Sequence, residues 1–68
     1  MKPEEIFGVM AGKVWHVLNS NSKPLSISEI MKLGKLKRDD VFAGLGWLGR
    51  EGKIEIIKGK KGSMYKLI

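Results

Sequence analysis

An α+β fold, three helices followed by a C-terminal β-hairpin, is what these 68 residues predict. Three observations lead there. Apolar residues recur at steps of three and four in three separate segments up to Glu51. After Gly52 the period changes to strict alternation. Only Lys35, Leu36 and Lys37 separate the second helical signal from the third, which joins two helices by a tight turn.

The first helix spans Pro3 to Leu18, with Phe7, Met10, Val14 and Leu18 on one stripe and Ala11 beside them. Pro3 suits the opening turn because its missing N–H would be unbonded there, and Glu4 and Glu5 meet the positive end of the helix dipole. Gly8 and Gly12 each cost about 1 kcal/mol relative to Ala, so their four-residue spacing implies close packing on that side. Asn19-Ser20-Asn21-Ser22 ends the helix and Pro24 closes the loop.

Leu25-Ser26-Ile27 is too short for an independent strand but long enough to add one or two bonds to a sheet edge. Ser26 and Glu29 have capping-box spacing for a second helix over Ile27 to Leu33, which buries Ile30 and either Ile27 or Met31. Gly34 is expected to stop it in a left-handed conformation. The third helix runs from Arg38 to Glu51 with Val41, Leu45 and Leu48 inward, Asp39 and Asp40 in its first turn, and Gly52 as its end. Lys53–Lys58 places Ile54 and Ile56 on one face, Ser63–Ile68 places Tyr65 and Leu67 together, and Gly59-Lys60-Lys61-Gly62 forms the turn. This order is the winged helix-turn-helix layout, the hairpin being the wing. No repeat or linker interrupts it, so residues 1–68 are expected to form one domain.

Composition narrows the function. Among 68 residues, 43% are apolar, enough to fold, although a domain of this size buries only about 60% of its unfolded surface. Cysteine is absent and histidine occurs once, which removes disulfides, thiolate zinc sites and imidazole cages. No metal and no cofactor is expected. Two acids near the start oppose a secretory signal, and no uncharged stretch reaches the ~20 residues of a membrane span. A cytoplasmic protein without a membrane partner or small-molecule substrate is the expectation.

Thirteen Lys and Arg against seven Asp and Glu give a net charge of +6. Residues 1–31 net zero, residues 32–51 net +2, and residues 52–68 net +4. The excess lies wholly in the later half, which favours an anionic partner there, nucleic acid first. A lysine-rich surface also serves solubility alone.

Ala11-Gly12-Lys13-Val14-Trp15, followed by Gly44-Leu45-Gly46-Trp47-Leu48-Gly49-Arg50-Glu51-Gly52-Lys53-Ile54, resembles a small family of stand-alone winged helix-turn-helix domains of archaea and bacteria that lacks an assigned function. The resemblance covers nearly the whole chain. More loosely, Val41, Leu45, Leu48, Gly52 and Ile54 are similar to the third-helix-into-wing pattern of the multiple-antibiotic-resistance type of regulators. Those regulators often carry polar or basic residues where this chain has Phe42 and Ala43. The resemblance implies the fold, and DNA binding with a link to transcription by analogy.

A winged helix that binds DNA in the usual way lays its third helix in the major groove. Opposite the core stripe that helix carries Asp39, Ala43, Gly46 and Arg50, a set poor in the forked donors and acceptors that read base edges. Two basic clusters are the better signal: Lys35, Lys37 and Arg38 at the entry to the third helix, and Lys58, Lys60 and Lys61 at the wing. With Ala43 and Arg50 they make up the candidate DNA-binding set, gripping phosphates and giving affinity without sequence information. The competing expectation is a protein-interaction or dimerisation face at Phe42, Gly46 and Trp47, where Gly44, Gly46 and Gly49 let a second backbone approach. There Phe42 and Trp47, like Trp15, either close the edge of a small core or meet a partner.

No catalytic constellation is present, so an enzyme is not expected. His16 has no second ligand near it in sequence and reads as a surface residue. Asp39 and Asp40 point about 100° apart and serve the helix dipole. Gly59-Lys60-Lys61-Gly62 lacks the strand-loop-helix order of a phosphate loop.

Overall fold

The computed structural model describes residues 2–68. It contains α1 (Pro3–Asn19), α2 (Ile27–Gly34), α3 (Arg38–Arg50), β1 (Ile54–Gly59) and β2 (Gly62–Leu67). This is the winged helix-turn-helix order expected from the periodicity. Ala11, Val14, Val17 and Leu18 of α1 meet Leu25, Ile30 of α2, and Val41, Leu45 and Leu48 of α3 in one buried cluster.

Polar side chains finish α1. Ser20 Oγ donates at 2.8 Å to the His16 carbonyl, which also accepts the Ser20 N–H at 3.0 Å, and Asn21 Nδ2 donates to the Val17 carbonyl at 2.7 Å in the helix's last turn. At the other end, the expected stripe fails for Phe7, which is 41% exposed. The first two turns of α1 hold no buried residue, because burial begins at Ala11. The Gly8–Gly12 expectation is also corrected: a Cβ on either would meet nothing within 4 Å.

Leu25 exchanges both backbone hydrogen bonds with Tyr65, at 2.9 and 2.8 Å, so the short extended piece does extend the sheet from β2. The chain then enters α2 through the capping box, the Glu29 N–H donating to Ser26 Oγ at 3.2 Å and the Ser26 N–H to Glu29 Oε1 at 2.9 Å. Termination differs from expectation. The left-handed residue is Lys35, at φ 53 and ψ 46, and Gly34 is the last residue of the helix. Gly34 serves proximity instead, since a Cβ there would lie 3.0 Å from both Val17 Cγ2 and Leu36 Cδ1.

Gly44 brings α3 onto α1. A Cβ on it would sit 2.7 Å from the Met10 carbonyl oxygen and 2.7 Å from Val14 Cγ2. The helix ends in a Schellman arrangement around Gly52 at φ 70, with Lys53 N–H donating to the Leu48 carbonyl at 3.0 Å and Gly52 N–H to Gly49 at 3.1 Å. Glu51 is its cap, one residue short of the expected end. The hairpin pairs Ile54 with Leu67 through to Gly59 with Gly62, leaving Lys60 and Lys61 as a two-residue tip. Ile54 and Ile56 border one cavity, as the alternation predicts, but Ile56 is 54% exposed because the hairpin runs past the end of the core.

Candidate nucleic-acid interface

The turn between α2 and α3 gives its basic residues different surroundings. Lys35 lines a groove together with Lys13 and His16 of α1. Lys37 caps α3 through its backbone position only, with no side-chain bond. Arg38 opens α3, and its guanidinium stacks 5.3 Å from the centre of the Phe42 ring one turn on. All three are exposed.

On the outward face of α3, Phe42 is 46% exposed, and Asp39, Gly46, Gly49 and Arg50 are exposed while Ala43 and Trp47 are half-buried. Among these, the charged side chains are Asp39 and Arg50, at opposite ends of the helix, and Trp47 adds one indole N–H donor. Two surface cavities meet on this face at Phe42 and Gly46. One, of about 400 Å³, is bordered by Gly49, Ile54, Ile56 and Tyr65. The other, of about 310 Å³, is bordered by Phe7, Ala43, Trp47 and Arg50. The notion of a uniformly bare glycine face needs correcting, since Gly44 is spent on the contact with α1 and only Gly46 and Gly49 face outward.

The chain reverses at Gly52. Ile54 Cδ1 reaches within 4.0 Å of where a Gly49 Cβ would be, and farther along Phe42 shares its cavity with Ile56 and Tyr65. Lys58, Lys60 and Lys61 follow on the exposed end of the hairpin. The tip borders a groove of about 520 Å³ with Ser26 and Glu29 at the start of α2. The backbone N–H of Ser26, helped by its hydroxyl and by Lys23, holds the Glu29 carboxyl below the usual carboxylate range. One anion therefore sits beside the wing.

Sequence reasoning missed three contributors to these surfaces: Phe7 and Tyr65, which border the α3 cavities, and Lys13, which joins Lys35. Only the alternation of Tyr65 with Leu67 carried any signal for them. Among the described residues no group of three His, Cys, Asp or Glu could hold a metal ion, and no helix is long and apolar enough to cross a membrane.

The winged helix-turn-helix domain family model (DUF2582) matches residues 1–67. The chain belongs to that family. Within reach of this DUF2582 chain, the uncharacterized protein MJ1608 of Methanocaldococcus jannaschii is 38% identical over 61 residues, covering 88% of this chain and 87% of that protein. The solution NMR structure of BT2368 from Bacteroides thetaiotaomicron matches with a TM-score of 0.87 at 32% identity, over 97% of this chain and 79% of that one. The Helicobacter pylori ferric uptake regulator Fur, whose structure reveals three functional metal binding sites, gives a TM-score of 0.75 at 20% identity. This DUF2582 chain covers 58% of the Fur chain, and the likeness is one of fold.

Proposed function

We propose that this chain acts as one winged helix-turn-helix domain over residues 1–68 that binds double-stranded DNA through phosphate contacts, in a transcription-related, cytoplasmic and non-enzymatic role. Lys37 and Arg38 grip one backbone from the start of α3, and Lys58, Lys60 and Lys61 grip the other from the wing. Lys35 and Arg50 are outlying contacts, and Ala43 lies along the groove without reading it.

The observation that carries this reading is the cavity shared by Phe42, Ile56 and Tyr65. Because Ile56 of β1 borders the same cavity as Phe42 of α3, the reading takes Arg38, one turn before Phe42, and Lys58, two residues beyond Ile56, to face one duplex. Family membership supports the reading by fold, since winged helices commonly present α3 and the wing to a duplex. Low sequence specificity follows from an outward α3 face without forked donors along its middle.

A random-duplex titration against salt tests it. Five phosphate contacts predict a log–log slope of about −4.5. Reversing charge at Lys60 and Lys61 weakens every sequence alike and flattens the slope by about 2. Absence of duplex binding at low salt rejects the proposal. The second reading, a protein-docking face at Phe42, Gly46 and Trp47, is favoured by the two cavities that meet there. Backbone chemical shifts separate the two: DNA moves Arg38 and Lys58–Lys61, whereas a docking face responds to partner or protein concentration with no duplex present.

A further inference from the structure

We infer that α1 is the self-association face of this protein, two copies packing α1 against α1 in near-antiparallel fashion around a two-fold axis at Val9. The face is defined by Glu5, Ile6, Val9, Gly12, Lys13 and His16, which fall on one side of the helix at 100° per residue. It is the side of α1 left bare by the fold. Ile6 is 40% exposed and Val9 49%, and Leu33 of α2, across the adjoining groove, is 55% exposed. A Cβ on Gly12 would meet nothing within 4 Å, so no contact within the chain explains why a residue costing about 1 kcal/mol of helix stability sits there.

A two-fold axis at Val9 makes specific pairs. Positions four before and four after Val9 face each other across the axis, which sets Glu5 of each copy against Lys13 of the other, twice over. Positions three before and three after do the same, which sets Ile6 over Gly12. The absent side chain of Gly12 then receives Ile6 of the second copy in the groove of about 580 Å³ that Leu33 and Leu36 also border. Val9 meets Val9 on the axis. The outermost pair, Lys2 against His16, lies at the ends of the overlap and adds no attraction.

Charge complementarity decides the occupant. The groove is bordered by Lys13, His16 and Lys35 and by no carboxylate. Neither Glu5 nor Lys13 makes an ion pair among the described residues, whose one salt bridge joins Lys53 to Glu51 at 3.7 Å. A second copy supplies the missing acid and receives the matching base, as an isologous contact requires. Two helices meeting over about three turns form an interface at the small end of specific ones, below ~1,200 Å² in total, so association is weak and shows itself at high protein concentration.

Sedimentation equilibrium of the full chain up to about 1 mM, alongside concentration-dependent backbone shifts, tests the pairing. Wild type is expected to show a monomer–dimer equilibrium with shifts at Ile6, Val9, Gly12 and Leu33. Lys13→Glu and Glu5→Lys, both at exposed positions and each checked for helicity, raise Kd at least ~10-fold by placing like charges together. Mixing the two single variants restores a dimer, and Glu5→Lys combined with Lys13→Glu restores it within about threefold of wild type, because each puts opposite charges back in register. A monomer at the highest concentration overturns the inference. So does a dimer whose mixture or double variant is not rescued, or one that Gly46→Glu dissociates, which would move the contact to α3.

Discussion

Gly44→Ala examines the contact on which the fold is built. The added Cβ would stand 2.7 Å from the Met10 carbonyl oxygen and 2.9 Å from its carbon. Both are backbone atoms of a packed helix, so relief requires α3 to move away from α1. Forcing an extra methyl into a well-packed site costs ~1–3 kcal/mol, and the rigid backbone puts this site at the upper end. Alanine returns about 1 kcal/mol of helix propensity, leaving a net loss of about 2 kcal/mol. A chain of this length has a total stability of ~3–10 kcal/mol, and the loss lowers Tm by about 8–16 °C. Gly46→Ala is the internal control, because nothing lies within 4 Å of its Cβ. It should stabilise by up to ~1 kcal/mol on propensity alone. Urea unfolding followed by tryptophan fluorescence reads both, through Trp15 and Trp47. If Gly44→Ala proves as stable as Gly46→Ala, the α1–α3 packing described above is wrong.

Other outcomes follow from the helix ends and the wing. Ser26→Ala removes the cap of α2 and costs about 1 kcal/mol in urea unfolding. The depressed Glu29 titration adds stability that is present above the ordinary value of 4.5 and is lost as pH falls through the lower folded value, so Glu29→Gln flattens the acid limb of a stability–pH curve. Lys35→Gly relieves a left-handed backbone and raises Tm modestly, whereas Lys35→Val lowers it, since a β-branched side chain tolerates φ 53 poorly. Reversing Lys60 and Lys61 reduces duplex affinity without changing the unfolding midpoint, measured by anisotropy and circular dichroism on the same samples.

Local rules were legible where one residue type can do the job. Ser26 and Glu29 at their spacing announce the capping box, Gly52 announces the end of α3, and Leu25-Ser26-Ile27 reads as a piece able to add one or two bonds to a sheet edge, as Leu25 does. The misreadings share a different cause. Periodicity marks which face of α1 is apolar but not how far along the helix a partner extends, so Phe7 was assigned to a core that begins at Ala11. Gly34 reads as the left-handed stop of α2, yet Lys35 makes that turn while Gly34 is held by the proximity of Val17 and Leu36. That same turn gives Lys35 a place in the groove with Lys13 and His16, while Arg38 stacks on Phe42. Gly44, Gly46 and Gly49 look alike in the sequence, but their spacing around the helix gives one to α1 and the others to the exterior.

The segregation of charge along the chain bears on which face can meet what. Copies that approached through residues 52–68 would each bring a net charge of +4, whereas residues 1–31 carry none. Self-association through α1 therefore avoids the repulsion that wing-to-wing contact would incur, and it leaves Arg38, Lys58, Lys60 and Lys61 free. A dimer of this kind has two wings related by the axis at Val9, and a duplex long enough to meet both doubles the phosphates neutralised per binding event. The salt slope on long DNA should then approach twice that on a duplex spanning a single wing, while Lys13→Glu restores the single-wing slope without touching the wing. A slope independent of both duplex length and Lys13 would separate the two faces entirely, leaving DNA contact as a property of the monomer.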